Sequence, residues 1–362
     1  MEKSDIKNIL VYRIGHLGDT LVAMPAFWSI RSEYPNAKMT LLTNVNEDNP
    51  NFVMAKGVLP ENGLFDEILT YVLAKDKLSQ LLEYSKLLLK IKKRKFDVVV
   101  YLTTRNRTLS QIKRDVNFFR LAGIKKIVGV ETLLKDRVEL PETRPLPMID
   151  SELEYLNRCV TDENFSKITK PDVTLHLTVG EKKNAEDWLE KHCNKAVKEN
   201  RLFGIALSSK WESKNWAIEN FEKVIGGMIN ERNVFPVYFG GNDEKEIGNE
   251  FVKKMKTGAN AAGRLNIRSA AAALEKCRIF LGNDTGTMHL AASVKTPCVA
   301  VFAAIDWAGR WYPYGNYHTV FREAVECEAC LLPVCNNNNK CLKLVSPEKV
   351  LDACLRTWDK SN

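Results

Sequence analysis

The chain has 362 residues, 45% of them hydrophobic and 27% charged, with a formal net charge of +8. That composition fits a globular protein of two domains and excludes a disordered or fibrous chain. No apolar run reaches the roughly 20 residues needed to cross a membrane, and the N-terminus lacks a basic flank before an apolar signal core. A cytoplasmic protein is expected, with attachment to a membrane surface left open.

In chain order, the first expected strand is Ile9–Tyr12, followed by the glycine-bearing turn Arg13-Ile14-Gly15-His16-Leu17-Gly18-Asp19-Thr20. Apolar residues at helical spacing from Leu21 to Tyr34 then predict a helix. The two glycines lack the third member and the spacing of a dinucleotide fingerprint. Asp19 would repel a pyrophosphate, and an acid beyond the end of a first strand is better placed to accept a proton. Its alternative role is to cap the helix.

Further strands are expected at Lys38–Leu42, Glu67–Tyr71, Val98–Leu102 and Lys126–Val130, with a long helix from Asp76 to about Lys93. From Lys86 to Lys126, thirteen Lys and Arg face only Asp97 and Asp115, a local net charge of +11. Part of this closes a helix, where cations suit the dipole. Arg105, Arg107, Lys113, Arg114 and Arg120 instead follow the strand Val98–Leu102, where open α/β sheets bind ligands. A phosphorylated acceptor, an anionic membrane surface and nucleic acid all fit such charge. Nucleic acid fits least, because no aromatic platform or recognised motif accompanies it.

An irregular, proline-bearing stretch from Leu140 to Pro147 leads to a helix over Asp150–Thr161, and Pro171 marks the hinge to a second alternating series. Its strands are expected at Leu202–Leu207, Val234–Phe239, Arg278–Leu281 and Cys298–Phe302. Each half therefore reads as a parallel sheet with crossover helices. Ser208, Ser209, Lys210 and Lys214 crowd the turn after the first of these strands, ahead of a helix starting near Asn215 or Trp216. Hydroxyls and ammonium groups at a helix start suit phosphate.

The segment Ile279-Phe280-Leu281-Gly282-Asn283-Asp284-Thr285-Gly286-Thr287-Met288-His289 reads as a buried strand, a tight turn and a helix start. Gly286 permits close approach to the backbone, and Thr285, Thr287 and the free N–H groups of the first turn would meet an anion. Asp284 and His289 would flank the same spot. Cys327, Cys330, Cys335 and Cys341 have the number and closeness for a structural zinc site, with free thiols the default in a reducing compartment. Ser346-Pro347 opens a C-terminal helix that runs through Trp358.

Taken together, the turn from Arg13 to Thr20 with Pro25-Ala26 and Tyr34-Pro35, the element Lys214-Asn215-Trp216, the block Asp284-Thr285-Gly286-Thr287-Met288-His289-Leu290-Ala291-Ala292, and Phe302 through Trp311-Tyr312-Pro313-Tyr314-Gly315 resemble glycosyltransferase family 9, the lipopolysaccharide heptosyltransferases. The resemblance implies an α/β fold of the GT-B type: two facing Rossmann-like domains with parallel sheets and a C-terminal helix. It implies an acceptor-binding domain over residues 1–170, a nucleotide-sugar donor-binding domain over 171–345, and the closing helix over 346–362. Both motifs would then lie on a shared cleft.

The implied reaction is inverting transfer of a sugar, usually heptose from ADP-heptose, to a lipid-linked inner-core acceptor at the inner membrane face. Asp19 would be the general base. Ser209, Lys210 and Lys214 would hold the donor's diphosphate, while Asp284, Thr285, Gly286 and His289 would bind diphosphate and sugar. His16, Arg105 and Arg107 fall to the acceptor side. No Asp-x-Asp occurs in the chain, so cations and helix ends would do the work of a metal, and no cofactor is expected beyond the nucleotide sugar. Nucleic acid is not expected as a partner.

Departures from the family pattern fall at His16 (often Ser), at Ala206-Leu207-Ser208 (a glycine missing), at Ala217 (often Pro) and at Ala303-Ala304 (often Gly-Pro). They bear on the identity of donor and acceptor more than on the reaction. Two other readings stay open: a nucleotide-sugar epimerase of similar architecture, and a non-catalytic nucleotide-sugar or nucleic-acid binding protein.

Overall fold

Strands made almost wholly of aliphatic residues can persist only where both faces are covered, and that is how this chain uses them. The computed structural model describes residues 5–45, 55–72, 76–140, 144–168 and 171–361; residues 141–143 of the proline-bearing stretch lie outside this set. The chain divides into two units, Met1–Glu139 with Glu152–Val173, and Leu140–Ser151 with Thr174–Asn362.

The first unit contains β1 (Asn8–Tyr12), α1 (Leu17–Leu21), α2 (Met24–Glu33), β2 (Lys38–Val45), β3 (Glu67–Val72), α3 (Lys77–Arg94), β4 (Val98–Tyr101), α4 (Leu109–Leu121), β5 (Lys126–Val128), α5 (Val130–Asp136) and α6 (Glu152–Thr161). Its sheet runs β3-β2-β1-β4-β5, all parallel, with Ile9 opposite both Met39 and Val98. Ile9, Leu10, Val11, Val98, Val99 and Val100 are fully buried.

The helix expected from Leu21 to Tyr34 is α2, which starts at Met24, and the expected turn Arg13–Thr20 itself holds most of the short α1. Pro25 lies in the first turn of α2, where its missing N–H and fixed φ suit a fresh start rather than a continuation. α3 begins on Asp76, whose carboxylate accepts the Ser79 N–H at 2.9 Å, and stops at Lys95 in the left-handed region.

The second unit contains α7 (Val179–Lys198), β6 (Leu202–Ala206), α8 (Ile218–Arg232), β7 (Phe235–Tyr238), α9 (Lys245–Met255), β8 (Ala259–Asn260), α10 (Ile267–Glu275), β9 (Ile279–Asn283), α11 (Gly286–Ser293), β10 (Cys298–Val301), β11 (Thr319–Phe321), α12 (Lys340–Lys343) and α13 (Pro347–Lys360). Its parallel sheet runs β11-β10-β9-β6-β7-β8. In both sheets the order reverses beside the unit's first strand, between β1 and β4 and between β6 and β9. This is the doubly wound topology, whose switch point opens a crevice at the strands' carboxyl ends.

The proline-bearing stretch packs with the second unit: Leu146 N–H donates to Glu328 Oε1 at 2.5 Å and Ile149 N–H to the Ala308 carbonyl at 2.9 Å. α13 also closes on this unit. Val350, Ala353, Cys354 and Trp358 join its apolar core, Arg278 lies 4.5 Å over the Trp358 ring, and Arg232 pairs with Asp359. No helix among the described residues is long and apolar enough to cross a membrane.

Candidate functional site

The turn after β1 is built around one contact. Gly15 has φ +133°, and a Cβ there would lie 2.3 Å from Asp19 Cγ, so only glycine lets the carboxylate fold back over the turn. Asp19 Oδ2 then accepts the His16 N–H at 2.8 Å, while Asn44 of β2 accepts the Gly15 N–H at 3.1 Å.

Beneath them the buried Arg13 donates to the carbonyls of Asp19 (3.0 Å) and Leu102 (3.2 Å), and its Nη2 is 3.5 Å from Asp19 Oδ1. A guanidinium tied to the backbone of α1 and of the residue after β4 thus fixes the carboxylate, which remains 22% exposed. Asp19 therefore both caps α1 and offers solvent an acceptor oxygen beside the switch point.

Arg105 and Arg107, expected on the acceptor side, are less exposed than Asp19 and already have carboxylate partners within their own unit. Arg105 is 2% exposed; it pairs with the fully buried Glu152 at 3.3 Å and lies over the Tyr155 ring at 5.2 Å. Arg107 pairs with Asp115 and reaches the Tyr101 hydroxyl at 3.1 Å. Burial in this cluster pushes the Tyr101 phenol up to about 12. Two cations after a strand looked like ligand groups because their carboxylate partners come from α4 and α6.

In the second unit the turns after β6 and β9 meet at the switch point. Asn283, fully buried at the end of β9, donates to the Leu207 carbonyl at 3.0 Å and accepts the Trp216 N–H at 3.0 Å, locking the two turns together. Lys214, in the 3₁₀ turn Glu212–Lys214, extends over the Trp211 ring and places Nζ 2.6 Å from Asp284 Oδ2. Ser209 donates to the Asp284 carbonyl at 3.5 Å, and Lys210 stands exposed in the same turn.

Thr285 caps α11 by accepting the Met288 N–H at 3.3 Å. Gly286 opens the helix, and His289, nearly buried one turn on, meets the edge of Trp311 at 6.3 Å between ring centres. The structure thus brings Ser209, Lys214, Asp284, Thr285, Gly286 and His289 to one helix start.

Arg13 and Asn283, which fix the two turns, were not singled out from sequence, nor was Glu244. That carboxylate follows Gly240-Gly241 beyond β7, accepts from the Ser208 hydroxyl, and takes the Gly241 N–H at 2.6 Å. Burial raises its pKa. The paired glycines before an acid at a strand's carboxyl end were the available signal. Next to Ser208 a depression of about 520 Å³ opens between α8 and α9, walled by Trp216, Ile218, Ile247 and Phe251.

Among the described residues no group of three or more His, Cys, Asp or Glu is placed to hold a metal ion. The clustered cysteine sulfurs accept from nearby N–H groups, Asn337 donating to two of them. Cys335 accepts the N–H groups of Asn337 and Asn339 (3.3 Å each), Cys327 accepts from the Asn337 side chain at 3.4 Å, and Cys341 accepts the Ala304 N–H at 3.4 Å. Cys330 packs against the apolar core.

Residues 86–341 match glycosyltransferase family 9 (heptosyltransferase). The lipooligosaccharide heptosyltransferase 2 of Campylobacter jejuni is 26% identical over 159 residues, which are 42% of this chain and 49% of that protein; the match spans about half the relative's length. Among solved structures, a family 9 glycosyl transferase from Veillonella parvula superposes with TM-score 0.71 at 18% identity, covering 99% of each chain. The E. coli ADP-heptose LPS heptosyltransferase II superposes with TM-score 0.66 at 17% identity, covering 98% of this chain and 99% of that one. At these identities the likeness shows the fold, an α/β fold of the GT-B type.

Proposed function

The chain belongs to glycosyltransferase family 9, and from that premise we propose that it is an inverting transferase moving heptose from ADP-heptose to a lipid-linked inner-core acceptor. The observation that carries the reading is the gathering of Ser209, Lys214, Asp284 and the capped start of α11 at the second sheet's switch point. An ammonium, a hydroxyl and free helix N–H groups form an anion site suited to a diphosphate.

In this reading Lys214 and Lys210, with Ser209 and the N–H groups of Gly286 and Thr287, neutralise the departing ADP; fixed cations and dipoles then take the part of a divalent metal. Asp284 and His289 border the sugar. Glu244 accepts the ribose hydroxyls, as an acid at a strand's carboxyl end does in related sheets, and the depression beside Ser208 takes the nucleoside.

Asp19 removes the proton of the attacking hydroxyl. The acceptor oxygen forms its bond to the anomeric carbon as the bond to the diphosphate breaks on the opposite face, through an oxocarbenium-like transition state that inverts the centre. His16 borders the acceptor. Work on a lipid-linked acceptor places the chain at the cytoplasmic face of the inner membrane.

The test is product formation in EDTA with ADP-heptose and an inner-core acceptor, read by mass and by anomeric configuration. One added heptose of inverted configuration is expected. Donor conversion without acceptor would indicate an epimerase, and no conversion under any donor would leave only a binding protein; either result refutes the transfer.

A further inference from the structure

Helix α3 has two apolar faces, and only one has a partner among the described residues. Inward, Leu87 and Ile91 are buried, and Tyr84 lies between Tyr71 and Phe118, with ring centres 6.3 and 6.1 Å away. Outward, Leu78, Leu81, Leu82 and Leu89 are between 55% and 71% exposed. At 3.6 residues per turn, Leu78, Leu82 and Leu89 fall within about 40° of one another, with Leu81 beside them. Single exposed leucines are ordinary, but a row of four along one helix is not.

The charges around the row are mostly positive. Lys86, Lys92 and Lys93 flank it, Lys90 follows on the same side, and Lys90, Lys92 and Lys93 have no ion-pair partner among the described residues. Glu83 is engaged by Lys86 at 2.8 Å and Arg94 by Glu67 at 2.5 Å. Exposed Lys113, Arg120, Lys125 and Lys126 extend the positive field from α4 to β5. Long ammonium side chains beside an apolar row can reach headgroups while the leucines enter the acyl boundary. The cations select an anionic surface.

We propose that α3 is an in-plane docking helix for a bilayer carrying anionic phospholipids, its Leu78–Leu89 row inserted at the headgroup boundary and its lysines on the phosphates. The helix is about 27 Å long at 1.5 Å per residue, and its lysine density fits lying on a membrane rather than crossing it. A lipid-linked acceptor supplies the purpose, and to that extent the inference rests on the transferase reading; the surface itself does not depend on it.

The experiment is co-sedimentation of the purified full chain with phosphatidylcholine vesicles containing or lacking 30% phosphatidylglycerol, without substrates. Binding to the acidic vesicles that weakens with salt is expected, with little binding to the neutral ones. Leu82→Gln/Leu89→Gln, at exposed positions that leave the core untouched, should weaken partition by about tenfold per leucine. Lys90→Gln/Lys93→Gln should weaken it roughly thirtyfold.

The leucine variant should keep the wild-type melting temperature and wild-type turnover on a delipidated, soluble acceptor. Failure of the wild type to bind acidic vesicles, or equal binding by the variants, overturns the proposal. So does a wild-type dimer that the leucine variant dissolves, because a second copy would then cover the face. None of the overturning results requires turnover, so loss of the docking surface and loss of the transferase reading are told apart.

Discussion

Gly15→Ala tests whether the position of the Asp19 carboxylate matters as much as its presence. The new Cβ would stand 2.3 Å from Asp19 Cγ and 2.6 Å from Oδ2 on a residue held at φ +133°. Asp19 must swing away and release the His16 N–H, a cap worth about 1 kcal/mol, and the backbone carries about 1–3 kcal/mol of strain. The sum, about 2–4 kcal/mol, corresponds to a fall in melting temperature of roughly 4–16 °C for a unit of this size. Turnover should fall by about 10²–10⁴-fold, the span a positioned general base contributes, while donor affinity, which the proposal assigns to the other unit, is kept. A double-mutant cycle gives the sharper readout: in an Asp19→Asn background, Gly15→Ala should cost little further turnover. A folded Gly15→Ala protein with wild-type kcat, or fully additive effects, refutes the reasoning.

Three further outcomes follow from the same geometry. Lys214→Ala removes a cation from the proposed diphosphate site and leaves the 7% exposed Asp284 without its ammonium. A rise in ADP dissociation constant of about 10–100-fold is expected by calorimetry, with about 1–3 kcal/mol lost in stability; unchanged ADP binding contradicts the site. His318 accepts the Cys298 N–H at 3.0 Å, and burial pulls its pKa down from 6.5 to about 4. Its folded-state value being lowered, the neutral ring's contribution is complete above pH 6.5 and is lost as pH falls toward 4, by about 3 kcal/mol. His318→Asn should flatten the melting temperature against pH across that window, and an unchanged slope counts against the assignment. Arg105→Met strips the guanidinium from the buried Glu152 and should cost about 3–5 kcal/mol, seen as a lower melting temperature without a selective rise in acceptor KM; the reverse pattern would return Arg105 to the acceptor site.

Much of the fold was legible because buried parallel strands write themselves as aliphatic runs. Ile9–Tyr12 and Val98–Tyr101 emerge almost at their observed bounds, and α3 within a residue. What escaped was short or decided elsewhere. β8 has two residues and β11 three, too few for a period, and the split between α1 and α2 turns on Pro25. Strand order was not readable either, since nothing in β1 says that β2 and β4 are its neighbours.

Within each unit, the glycine-bearing turn and the Asp284–His289 block stood out because they are local. The ion pair of Arg105 was not readable because its partner Glu152 is distant in sequence, and the spacing of the cysteines left zinc and free thiols both open. Arg13 and Asn283 passed as ordinary strand-end residues; their roles exist only once two turns from separate strands come together.

The most direct measurement pairs Asp19→Asn with two readouts, turnover with ADP-heptose and acceptor, and ADP-heptose affinity by calorimetry. The account predicts near-complete loss of turnover, with the donor dissociation constant within about twofold of wild type, because the substitution takes away a proton acceptor and leaves the anion site whole. Turnover within tenfold of wild type in a protein that still binds donor would contradict it, for the hydroxyl's proton would then be going somewhere else.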